Sequence, residues 1–94
     1  MRAFRSYYMA TVENMRTASG GHAPNQFKIW TDEGVIFQSY RSKIAERRAG
    51  EVTLFDPYWD MYSVTTNRYL LQFLNEDSIK DVRAKVKSGE YKTE

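Results

Sequence analysis

Ninety-four residues carry 14 Lys+Arg against 12 Asp+Glu, one histidine and no cysteine. The length fits one domain spanning 1–94, and the missing thiols exclude disulfide frameworks, thiolate zinc sites and cysteine nucleophiles. A net charge of +2 is too weak to demand nucleic acid and too weak to exclude it.

No apolar run exceeds four residues, so neither a membrane span nor a signal peptide is expected. Absence of cysteine from so small a chain favours an intracellular, cytoplasmic setting. Along the chain, Phe4 to Thr17 reads two ways. Phe4, Tyr8, Val12 and Met15 form a stripe at helical spacing, whereas Tyr8, Ala10 and Val12 share one face at strand spacing. Tyr, Thr and Val fit a pleated surface, which favours the strand, with a helix from about Ser6 to Arg16 as the alternative. Ala18 to Gln26, with Gly20-Gly21 and Pro24-Asn25, reads as a loop.

Phe27 to Thr31 alternates cleanly, with Phe27, Ile29 and Thr31 on one face and Lys28 and Trp30 on the other. Asp32-Glu33-Gly34 supplies a three-residue turn into Val35-Ile36-Phe37-Gln38, giving a β-hairpin. Ser39 to Ser42 is a polar kink. A second hairpin around Ala49-Gly50 pairs Arg48 with Glu51, Arg47 with Val52, Glu46 with Thr53, Ala45 with Leu54 and Ile44 with Phe55. Asp56-Pro57 ends that strand, because proline cannot donate to a ladder. Tyr69, Leu70, Phe73 and Leu74 then mark one face of a helix of about ten residues. Ser63, Thr65 and Thr66 are its candidate N-caps. Ser78 to Asp81 resembles a capping box and opens a second helix. That helix has the stripe Ile79, Val82 and Val86, cations at Lys85 and Lys87, and a stop at Gly89. The tail 90–94 is expected to fray.

Phe37-Gln38-Ser39-Tyr40-Arg41-Ser42-Lys43-Ile44-Ala45, Tyr58-Trp59-Asp60-Met61-Tyr62-Ser63-Val64-Thr65-Thr66, and the ending Lys87-Ser88-Gly89-Glu90-Tyr91 resemble a family of small bacteriophage and prophage proteins of unknown function. The motifs are F-x-S-Y-x-S-x-I-A and Y-W-D-Y-S-x-T-T, and the likeness covers roughly Phe27 to Tyr91. This chain departs from the pattern by carrying Met61 between Asp60 and Tyr62. The resemblance implies an origin in a phage genome within a bacterial cell; it carries over no activity and no catalytic or binding residue.

The residues that could carry chemistry have simpler readings beside them. His22 is the only histidine, and a general base needs a second polar group to position it. It reads as a solvated loop residue. Asp56 and Asp60 are too few oxygens for a hard cation, and read as a turn cap and a surface charge. Ser63, Thr65 and Thr66 lack a neighbouring base and read as helix caps. Gly20-Gly21 lacks the lysine of a phosphate loop. Arg41, Lys43, Arg47 and Arg48 form the densest basic cluster. Interrupted by Glu46, it reads first as a mixed solvated strand face, with a nucleic-acid single strand held together with Tyr40 and Trp30 or Trp59, or an acidic protein partner, as the alternatives. Tyr58, Trp59, Tyr62 and Tyr69 read either as packing that seals the sheet against the helices or as an interface, where Tyr and Trp are enriched. Trp59 in particular is expected to be at least half buried.

The expected fold is α+β: a small antiparallel sheet of four to five strands, then two short C-terminal helices packed on one face. No enzyme activity, cofactor or metal is expected. The expected function is that of a phage accessory protein that binds and inhibits or redirects a bacterial host protein, in its most specific form a CRISPR-type defence. The alternative is a small nucleic-acid-binding protein or transcriptional modulator. The candidate partner-binding residues are Tyr40, Arg41, Lys43, Arg47, Arg48, Tyr58, Trp59 and Tyr62.

Overall fold

The computed structural model describes residues 9–61 and 63–94. Six strands form one sheet in chain order: β1 (Ala10–Arg16), β2 (His22–Thr31), β3 (Val35–Ser39), β4 (Ser42–Arg48), β5 (Glu51–Leu54) and β6 (Tyr91–Thr93). Two helices, α1 (Val64–Leu74) and α2 (Ile79–Ser88), lie between β5 and β6. The α+β class is as the sequence predicts, but the sheet has six strands rather than four or five. It is also mixed, since β6 pairs parallel to β5 while every other pair is antiparallel. Parallel neighbours need a crossover, and the helices provide it.

The last strand corrects the expectation of a frayed tail. Val52 pairs with Tyr91 and Leu54 with Thr93, and Glu94 N–H donates to Leu54 O at 2.9 Å. Three residues of Tyr-Lys-Thr carry too short a pattern to read as a strand in isolation. What anchors them is tertiary: the Tyr91 ring is buried in the core, and its hydroxyl donates to Glu76 Oε2.

The strand reading of the first segment holds over Ala10–Arg16, while Phe4 and Tyr8 lie outside the described residues. The predicted loop 18–26 is shorter than expected, because β2 begins at His22. Asn14 pairs with Phe27 but Arg16 with His22, so β2 carries extra residues against β1. This wide bulge is where Pro24 is tolerated, and Asn25 takes a left-handed φ of 62° within it. Asn14 Nδ2 bridges the gap to Ala23 O at 3.0 Å.

The β2–β3 loop is Asp32-Glu33-Gly34, as read from sequence. Thr31 Oγ1 accepts from the Glu33 and Gly34 N–H groups at 3.1 Å each. Glycine is required at 34 because a Cβ there would stand 2.2 Å from the Arg47 carbonyl oxygen. The β4–β5 register is the predicted one from Arg48–Glu51 to Ala45–Leu54. Ala49 and Gly50 both have positive φ, which matches the turn twist to the strands. The polar kink at Ser39–Ser42 is a tight turn in which Tyr40 has φ 55°.

Both helices start on a serine that accepts a backbone N–H. Ser63 Oγ takes Thr66 N–H at 3.2 Å, and Ser78 Oγ takes Asp81 N–H at 3.1 Å. Each cap contributes about 1 kcal/mol. The α1 stripe Tyr69, Leu70, Phe73 and Leu74 is buried, as the spacing predicts. Phe73 stacks on Phe37 of β3 with centroids 5.8 Å apart, and Ser39 Oγ bonds Thr66 Oγ1 at 2.9 Å. These contacts identify Val35, Phe37 and Ser39 as the helix-facing side of β3, joined in the core by Ala45, Val52 and Leu54. Burying one such Leu or Phe side chain stabilises by about 1.5–3 kcal/mol.

Trp59 sits in a 3-10 turn (Tyr58–Asp60) at the end of this core and is 6% exposed. Its Nε1–H donates to Asp56 Oδ1 at 2.7 Å, so the buried indole keeps its polar partner. Trp59 is core packing and drops out of the candidate binding residues.

Candidate functional site

The sequence places Arg41, Lys43, Arg47 and Arg48 together, and the pleat separates them. Successive side chains on a strand point to opposite faces. Arg47 turns to the helix side, where Nη2 donates to Phe73 O at 3.2 Å and the guanidinium lies 5.3 Å over the Phe73 ring. Arg48 turns the other way and pairs with Glu33 at 2.7 Å. Lys43 lies 4.3 Å above the Phe55 ring and 3.6 Å from Glu46. Only Arg41, exposed in the β3–β4 turn, is left without an ion-pair partner among the described residues. These four cations do not form one phosphate-tracking surface.

The aromatic candidates converge instead. The β3–β4 turn, the 3-10 turn and the start of α1 meet at one end of the sheet. There they enclose a groove of about 210 Å³. Tyr40, Tyr58 and Met61 line it while remaining 54%, 45% and 57% exposed. Ile44, Ser39 and Thr66 contribute buried wall. The Ser39 and Thr66 hydroxyls bond each other, so each has a hydrogen-bond partner within the wall. Ser63 also borders the groove, its oxygen held by the α1 cap.

Tyr40 is held firmly although its ring is exposed. Its N–H donates to Asn25 O at 2.7 Å, and its carbonyl accepts from Gln38 Nε2 at 2.8 Å. A left-handed tyrosine costs about 1–2 kcal/mol of backbone strain, which the surrounding bonds must offset. The opposite wall is fixed by Trp59 beneath it and by Asp60, which pairs with Arg83 of α2 at 2.6 Å. An exposed aromatic pair with a flexible methionine is the composition enriched at the centre of protein interfaces.

Of the predicted residues, then, Tyr40 and Tyr58 come together at the groove; Arg41 follows Tyr40 in the turn, and Lys43, Arg47, Arg48 and Trp59 do not join the lining. Tyr62 lies outside the described residues. Met61 and Ile44 were missed. Ile44 enters the core side only because β4 bulges between Lys43 and Ala45, and a lone Met beside Asp60 carries no periodic signal. His22 is exposed at the start of β2, and no group of three or more His, Asp or Glu among the described residues could hold a metal ion.

A second polar cluster joins the helices to β6. Glu76 accepts from Lys85 Nζ at 2.6 Å and from the Tyr91 hydroxyl. These bonds, Lys85 first, hold its carboxyl below the ordinary carboxylate value. The Glu76 carboxylate in turn raises Lys85. Burial, and then the bond to Glu76, push the Tyr91 phenol up to about 12. All three groups are mutually paired, and the cluster's evident work is to fasten the crossover.

No curated protein and no solved structure shows significant similarity to this chain. A family model does match over residues 8–89, and the chain belongs to that family, a family of unknown function (DUF8033).

Proposed function

We propose that the protein is a non-catalytic binding protein that docks on a partner protein through the Tyr40–Tyr58–Met61 groove. The observation that carries this reading is the exposure of three large side chains, two tyrosines and a methionine, around a groove whose buried hydroxyls, Ser39 and Thr66, bond each other. Exposed aromatics of this kind, each able to bury a large apolar area with few rotors, are the residues that dominate binding energies. Arg41 beside Tyr40 adds a cation at the rim, suited to an acidic group on the partner. In the reading that follows from the phage-like motifs, the partner is a bacterial host protein, and its inhibition or redirection, as in a defence system, is the biological outcome.

The dispersal of Arg47, Arg48 and Lys43 removes the basic cluster as an argument for the nucleic-acid alternative. The test compares capture from bacterial lysate by the wild-type chain and by a Tyr40→Ala/Met61→Ala variant at stringent salt. Both residues are exposed, so the variant should melt within a few degrees of wild type. The expected result is a protein retained by the wild type and lost by the variant. Equal capture by both, or no reproducible partner, would reject the groove as the docking site.

A further inference from the structure

A second cavity lies elsewhere, between the β1–β2 loop and α1, with a volume of about 640 Å³. Arg16, Thr17 and Ser19 line it from the loop, and Arg68, Tyr69 and Gln72 from the helix. Arg68 and Gln72 are one turn apart and present their heads on the same face of α1. No carboxylate lines the cleft among the described residues. Among the described residues Arg68 has no ion-pair partner, and the Arg16 guanidinium donates to Gly20 O at 3.2 Å. Two guanidiniums thus share one cavity with no counter-charge from the described residues lining it.

The loop wall is built in advance. Thr17 N–H donates to Gly21 O at 2.8 Å, Gly20 N–H to Thr17 O at 2.9 Å, and Gly21 N–H to Thr17 Oγ1 at 3.1 Å. Thr17 Oγ1 and Ser19 Oγ lie 3.1 Å apart. Tyr69, 6% exposed, gives the helix side a fixed aromatic edge. The volume falls in the range of small-molecule sites, about 300–1,000 Å³.

We propose that this cleft binds a phosphate-bearing ligand of nucleotide size, with Arg16 and Arg68 as the paired donors to phosphate oxygens. Guanidinium offers planar, two-pronged donation that matches a phosphate, and two of them in one cleft neutralise the charge of a monoester. Gln72 is placed to donate or accept beside them, and the Tyr69 edge lies where an apolar ring portion of the ligand would pack. Free nucleotides and a phosphodiester chain present the same group. The site is independent of the Tyr40 groove.

The test is two-dimensional NMR titration of the full chain with pyrophosphate, a nucleoside triphosphate and a short oligothymidylate, repeated with Arg68→Gln and Arg68→Lys. The expected result is a set of saturable shifts at residues 16–19 and 68–72. Affinity should be about tenfold or more weaker in Arg68→Gln, as for loss of a charge-assisted bond, and partly kept in Arg68→Lys. Shifts with the triphosphate alone identify a free nucleotide as the source. Shifts with the oligonucleotide alone, with affinity falling as salt rises, identify a polynucleotide backbone. If none of the three probes moves those residues, or if Arg68→Gln binds as wild type does, the inference is wrong.

Discussion

Truncating Trp59 to alanine should destabilise the fold by about 3–5 kcal/mol, the usual range for a buried large aromatic. The structure supports the upper part of that range. The side chain is 6% exposed, and a buried tryptophan removes about 150–250 Å² from water, worth about 4–6 kcal/mol at 25 cal/mol per Å². Loss of the Asp56 bond adds little, because Asp56 is exposed and returns to water. A domain of this size has a margin of about 5–10 kcal/mol, so the variant should sit near its unfolding threshold. Each kcal/mol shifts the melting temperature of a chain this short by about 4–8 °C. Urea unfolding followed by far-ultraviolet circular dichroism measures the change, and Trp59→Phe should recover more than half of the loss. A Trp59→Ala midpoint within about 1 kcal/mol of wild type would refute the claim that Trp59 closes the core.

The Glu76–Lys85–Tyr91 cluster makes stability depend on pH at both extremes. Tyr91 is raised from 10.0 to about 12, so its contribution is complete below pH 10 and is lost as pH climbs through that interval. Tyr91→Phe should flatten this alkaline decline in urea midpoints, and an unchanged slope would show that the phenol is not the titrating group. Glu76 is lowered, so its contribution is present above its ordinary 4.5 and falls away as pH drops through the depressed value. Glu76→Gln should remove that acid limb. Gln26 is fully buried, and its side-chain amide has no hydrogen-bond partner among the described residues. Gln26→Met keeps the volume and removes the unmet polar atoms, so it should be neutral or stabilising by about 1–2 kcal/mol in the same unfolding assay. A loss of more than about 1 kcal/mol would show that the amide has a partner after all.

Local chemistry made much of this protein readable from its residues alone. The alternation of Phe27 to Thr31, the turn at Asp32-Glu33-Gly34, the Arg48–Glu51 register, the serine caps and the two helix stripes all follow from periods of 2 and 3.6 and from turn and cap preferences, which neighbours in sequence decide. These local signals also place the aromatic turn after Asp56-Pro57. What they leave open is which side of each strand meets the helices and which distant residues meet each other. The apolar Phe27 and Ile29 lie on the same side of the sheet as Ile36, opposite Phe37, because cross-strand pairing of Ile29 with Ile36 decides it. Arg47 and Arg48 look like one basic patch until the pleat sends one under Phe73 and the other to Glu33. The short β6 gains its identity from a parallel neighbour and from Glu76, both supplied by residues far back in the chain. The Tyr40–Met61 groove and the Arg16–Arg68 cleft are likewise products of folding. Each joins side chains separated by tens of residues, whose proximity is set by how α1 packs on the sheet and not by any pattern either segment carries.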